Sequence, residues 1–127
     1  MSDLPPGLRR LLQMSFVNTL SEATLDEFLG NGLVALVFTG NAARYAEIED
    51  LAVVLPELVK EFPGAFRVGV IDPDKERKLA VRFKITVRPT LLFVKNGEVV
   101  LSLPRMRDWA EYVREIASLV TPQPAPG

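Results

Sequence analysis

The sequence predicts an α/β domain: a mixed central β-sheet with helices on both faces, preceded by an N-terminal helical extension. Two observations carry the prediction. Leu33-Val34-Ala35-Leu36-Val37-Phe38 is apolar without alternation, as a central strand covered on both faces is. A helical period separates it from a second buried strand at Phe66 to Ile71, so the crossover makes the two parallel. Later, two apolar, β-branched runs flank Lys95-Asn96-Gly97-Glu98. An Asn-Gly pair between such runs marks a tight antiparallel hairpin. Parallel and antiparallel pairs together give a mixed sheet.

Residues 1–14 open with Pro5-Pro6-Gly7 and continue with Leu8, Leu11, Leu12 and Met14 around Arg9-Arg10. They read as a short amphipathic helix, either packed on the domain edge or used in self-association. The two arginines read as a solvated face rather than a targeting signal. Ser15 to Leu20 is a short strand and Ser21 to Leu29 a helix. In it Thr24 and Glu27 have capping-box spacing, and Leu25, Phe28 and Leu29 form the buried stripe. Gly30-Asn31-Gly32 stops it. After the central strand, Thr39 to Tyr45 reads as a loop. Ile48, Leu51, Ala52, Leu55, Val59 and Phe62 then recur with a helical period, and Pro56 should kink that helix.

Asp72-Pro73-Asp74 closes the second buried strand. Asp74 is placed to cap a short helix running through Phe83, with Leu79, Ala80 and Phe83 inward. Lys75, Arg77, Lys78, Arg82 and Lys84 make this helix basic, but Asp72, Asp74 and Glu76 interleave. That pattern is a solvated face rather than a nucleic-acid surface. Pro89 has no donor for a ladder, so it belongs at the start of the hairpin's first strand. A last helix from about Arg107 to Leu119 is expected to bury Trp109, Val113, Ile116 and Val120, with Met106 also in the core. The boundaries are therefore 1–14 for the extension, 15–120 for the domain, and 121–127 for a Pro-rich flexible tail.

The 127 residues suffice for one domain with a real core. A net charge of −1 makes no electrostatic case for nucleic acid or an anionic membrane. There is no cysteine and no histidine. The first absence removes thiolate nucleophiles, disulfides and thiolate-held metals; the second removes Ser-His catalysis, common zinc sets and the neutral-pH proton shuttle. No cluster of other titratable groups suggests catalysis, so the sequence predicts no enzyme, metal or cofactor. No apolar run approaches the roughly 20 residues of a membrane span. The charged, Pro-containing N-terminus lacks the apolar core of a signal peptide. The expected location is the cytoplasm, without membrane insertion.

Phe83-Lys84-Ile85-Thr86-Val87-Arg88-Pro89-Thr90-Leu91-Leu92-Phe93-Val94-Lys95-Asn96-Gly97-Glu98 resembles the cis-proline loop and hairpin of the thioredoxin fold. The strand, loop and long helix from Leu33 to Phe62 fall where that family keeps its redox helix. The resemblance implies a thioredoxin-like fold with Pro89 as the cis proline. It also implies two cysteine positions near Tyr45 and Ile48, and a buried acid near Leu36; this chain has none of the three. Disulfide exchange needs an attacking thiolate and a leaving thiol, so the chemistry is gone and the fold alone supplies no function.

Further features are similar to the hydrogenase expression/formation proteins of the HyaE/HupG type: the leading helix, Glu61-Phe62-Pro63, Arg82-Phe83, Trp109-Ala110-Glu111 and Leu119-Val120-Thr121-Pro122-Gln123. That resemblance implies a non-catalytic chaperone in maturation of an uptake [NiFe] hydrogenase. It implies binding to the small-subunit precursor and its twin-arginine signal peptide, with contacts to other maturation proteins. The alternative is a scaffold that holds assembly factors together without binding a signal peptide.

Six residues are candidates for partner binding: Tyr45, Glu47, Glu49, Asp50, Arg88 and Pro89. Acids in a first helical turn complement the helix dipole. They would also pair bidentately with guanidinium groups, and both roles can hold. Arg88 is expected to pair with one of those acids at the rim, or to reach a partner's carbonyl or carboxylate. Ile48 reads as core and Tyr45 as loop packing, each with the alternative of an apolar contact for a partner.

Overall fold

The structure is a computed structural model, described here for residues 5–40 and 45–120, with Tyr45 described by its backbone alone. The expected loop at 41–44 and the Pro-rich tail lie outside the described residues. The elements are α1 (Pro6–Leu12), β1 (Val17–Leu20), α2 (Glu22–Leu29), β2 (Leu33–Phe38), α3 (Tyr45–Glu61), β3 (Arg67–Ile71), α4 (Arg77–Arg82), β4 (Thr90–Lys95), β5 (Glu98–Pro104) and α5 (Trp109–Val120). A 3₁₀ turn at Pro73–Lys75 separates β3 from α4.

The sheet is mixed, in the order β1-β3-β2-β4-β5. β1 and β2 both run parallel to β3. β4 runs antiparallel to β2, and β5 to β4. Asn96 and Gly97 turn the hairpin with φ of 50° and 85°, the positive pair that a primed turn requires. Asn96 Oδ1 accepts the Gly32 N–H at 2.8 Å, and the Asn96 N–H donates to Gly32 O at 3.1 Å. This pins the hairpin to the turn before β2. Val100 is an extra residue opposite the Phe93–Val94 step, a β-bulge.

β2 separates two cores. Ala35 and Val37 face α1, α3 and α5; Val34, Leu36 and Phe38 face α2 and α4. From Val34 to Phe38 every residue has 0% exposure, which explains the absence of alternation. α1 is part of the first core, since Leu8 and Leu11 pack with Ile48, Leu51 and Leu55. Its N-terminus is fastened too: Gly7 N–H donates to Glu49 Oε1 at 2.6 Å. A Cβ on Gly7 would lie 2.6 Å from Glu49 Oε2, so the carboxylate reaches the helix because residue 7 has no side chain.

Several local expectations shift. α2 is capped three residues earlier than Thr24: Ser21 is the N-cap, and its N–H donates to Thr24 Oγ1 at 3.0 Å. Thr24 is the returning partner, not the cap. Asp72, not Asp74, does the capping after β3, accepting the Asp74 N–H at 3.0 Å. α3 runs as one helix through Pro56. Trp109 is 44% exposed, while Tyr112 at 0% takes the buried seat. α5 begins at Trp109, so this side chain projects from its first turn instead of lying along the packed stripe.

Candidate functional site

The Arg88–Pro89 peptide bond is cis, as the thioredoxin resemblance implies. The Pro89 loop joins the end of α4 to β4, and two arginine–glutamate pairs bracket it. On one side Arg88 Nε donates to Glu76 Oε1 at 2.8 Å. The other oxygen of Glu76 accepts the Gly40 N–H at 3.0 Å. One carboxylate thus ties the Pro89 loop to the residue that follows β2. Arg88 lies directly over Gly40: a Cβ there would sit 2.7 Å from Arg88 Cγ, and Gly40 has φ +65°. Both the close approach and the left-handed backbone require glycine.

On the other side Arg105 leaves β5 with φ 64°. Its backbone N–H donates to Pro89 O at 2.7 Å. Its guanidinium grips Glu47 with Nε 2.8 Å from Oε2 and Nη2 2.5 Å from Oε1. Hydrogen bonding to that carboxylate pushes the guanidinium above its already high usual value. Beyond it, the Arg107 N–H donates to the Tyr112 hydroxyl at 3.1 Å, and Arg107 Nη1 donates to Glu111 at 3.1 Å. Burial raises the Tyr112 phenol above its ordinary range, against the lowering effect of the Arg107 N–H. A groove of about 470 Å³ lies between the 84–87 segment and the 104–107 turn, with Thr90 and Ser102 also lining it.

The predicted residues therefore divide. Glu47 and Pro89 come together through Arg105. Asp50 is exposed one turn further along α3. Glu49 faces α1 and holds Gly7. Arg88 pairs with Glu76, not with Glu47, Glu49 or Asp50 on α3. Ile48 is core, 3% exposed. Tyr45 opens α3. Sequence reasoning missed Glu76 and Arg105. The signal for Glu76 was present, since residues 76, 79, 80 and 83 share one helical face, which puts this acid on the buried side with Leu79 and Ala80. Arg105 gave no such signal.

Among the described residues no group of three or more Asp, Glu, His or Cys could hold a metal, and every buried side-chain polar atom has a hydrogen-bond partner. Among the described residues no helix is long and apolar enough to cross a membrane. The arrangement offers carboxylate–guanidinium exchange and backbone contacts beside a cis proline.

Residues 8–112 match the family described as hydrogenase-1 expression protein HyaE. The chain belongs to the HyaE family. It is 39% identical over 116 residues to the hydrogenase expression/formation protein HoxO of Cupriavidus necator, spanning 89% of this chain and 72% of that one. It is 38% identical over 109 residues to the hydrogenase expression/formation protein HupG of Bradyrhizobium diazoefficiens, spanning 82% and 74%. A thioredoxin of Haemophilus influenzae is 29% identical over 87 residues, 68% of this chain and 81% of that protein. With the mixed five-stranded sheet, this makes the HyaE-family chain thioredoxin-like in fold.

Proposed function

We propose that this HyaE-family protein is a non-catalytic accessory protein of [NiFe] hydrogenase maturation. In the cytoplasm it binds the small-subunit precursor through its twin-arginine signal peptide. One observation carries the reading: the family match runs from residue 8 to residue 112, Pro89 loop included, in a chain with no thiol for disulfide exchange. Glu47 already holds a guanidinium in a fork, and a peptide arginine offers the same fork. Asp50 supplies a second carboxylate one turn on. Glu49 and Arg88 serve by fixing α1 and the Pro89 loop, and Tyr45 flanks the site at the head of α3.

Titration of labelled protein with a synthetic twin-arginine signal peptide should move amide resonances around Pro89 and Glu47. Glu47→Lys with Asp50→Lys should weaken binding at least about tenfold, the loss of two charge-assisted contacts. No shift around Pro89 rejects the site.

The pairing of Glu47 and Glu76 with the chain's own arginines favours a second reading, in which the protein is a scaffold for other maturation proteins and uses no peptide site. A pull-down that recovers those proteins without the small-subunit precursor supports that reading.

A further inference from the structure

One exposed surface serves no evident purpose in the fold. Val53 is 66% exposed and Trp109 44% exposed. With Val54 and Glu57 they line a shallow groove of about 260 Å³ between α3 and α5. Small-molecule pockets usually run to about 300–1,000 Å³ and are well enclosed, so this groove suits side chains rather than a metabolite. The inward stripe of α5 is already filled by Tyr112 and Ile116. A tryptophan left half in water is of the residue type enriched at interaction hot spots, and the exposed valine beside it extends the apolar patch.

Charge says what kind of chain fits. On a helix, residues three and four apart are neighbours. Along α3, Asp50 therefore borders Val53 and Val54 on one side and Glu57 borders them on the other. Glu47 lies a turn before Asp50, next to the Pro89 loop. Lys60 sits 3.4 Å from Glu57, with both side chains largely in solvent. The order along α3 is thus carboxylates first, then an apolar seat that ends at the Glu57–Lys60 pair. Export signals join a cationic segment to an apolar run of about 7–15 residues, which is the complementary order.

We propose that the Val53–Val54–Trp109 groove seats the apolar run that follows the arginines of the signal peptide, with the guanidiniums at Glu47 and Asp50. The inference rests on the signal-peptide reading above and extends the site from the Pro89 loop to the seam of α3 and α5.

Trp109 is the chain's one tryptophan, so selectively excited tryptophan emission reports on this groove. The full chain is titrated with two peptides. One carries the twin arginines and the apolar run; in the other the run is replaced by serine and glycine. The first should blue-shift Trp109 emission and the second should not. Val53→Asp should weaken the first peptide about tenfold, the worth of one buried apolar side chain, and should not weaken the second, which keeps its arginines but has no apolar run to seat. Val53 is mostly solvated, and circular dichroism verifies that the variant folds.

If the first peptide shifts amides around Pro89 while emission and Val53→Asp affinity stay at wild-type values, the groove assignment is overturned and the signal-peptide reading stands. If neither peptide moves any amide, both fall. A blue shift that follows protein concentration alone, with dimer in sedimentation, gives the groove to a second copy and also overturns the proposal.

Discussion

The two arginine–glutamate pairs that bracket Pro89 use the same chemistry in different surroundings. Arg88 and Glu76 have side-chain exposures of 27% and 8%; Arg105 and Glu47 have 45% and 23%. Glu76 also holds the Gly40 backbone, so its pair links the Pro89 loop to the residue that follows β2. Glu47 is held by a tighter fork, yet water reaches both partners. Fork geometry and burial are separate properties: the shorter contacts belong to the pair more open to water. A buried carboxylate has no solvent to fall back on when its partner leaves, whereas an exposed one can change partners at small cost.

The contrast is broken most severely at Glu76. Glu76→Ala should cost about 3 kcal/mol, because Arg88 is left with a largely dry charge and the Gly40 N–H loses its acceptor. The urea midpoint should fall with an unchanged slope. Gly40→Ala attacks the same pair from the backbone. It asks alanine to hold a left-handed φ and pushes Arg88 aside, an expected loss of about 2 kcal/mol; a midpoint equal to wild type would remove Gly40 from the linkage.

Alkaline pH sharpens the comparison on the Arg105 side. Burial raises the Tyr112 phenol, so the folded state holds that proton more tightly than the unfolded chain does. The contribution is complete below the ordinary phenol value of about 10 and is lost as pH rises through the higher folded value. Tyr112→Phe should abolish this alkaline component and cost about 1 kcal/mol at neutral pH, where the Arg107 N–H loses its acceptor. Denaturation series at pH 8 and pH 11 measure both. The smallest effect is expected at Arg105. Arg105→Ala should leave the urea midpoint in place and raise twin-arginine peptide affinity about two- to fivefold by vacating Glu47. Weaker peptide binding in this variant would instead make Arg105 part of the peptide surface.

Where periodicity or turn chemistry spoke, the sequence was readable. The unalternating run at 33–38 and the Asn96–Gly97 turn identified the sheet's centre and its antiparallel half before any coordinates. Trp109 misled because spacing along a helix says which face a residue shares, not where the helix begins. Glu76 misled for a different reason. Its basic neighbours made it look like one charge in a solvated run, although its spacing from Leu79 and Ala80 put it inside. The acids of α3 were assigned to one patch from proximity in sequence. Their helix turns about 100° per residue, so Glu47 and Glu49 reach opposite neighbours, Arg105 and Gly7. The Arg105–Glu47 contact spans 58 positions, and no local pattern announces it.

The fastening of α1 has a consequence for synthesis on the ribosome. Gly7 and the carboxylate that receives it are 42 positions apart. A helix of seven residues is too short to persist alone in water. This segment therefore emerges early and waits, its leucines uncovered, until α3 has followed it out of the exit tunnel. Its docking becomes possible only once α3 is available, so nascent chains arrested with α3 still inside the tunnel and with residue 61 clear of it should differ sharply in how readily a protease cuts near residue 10.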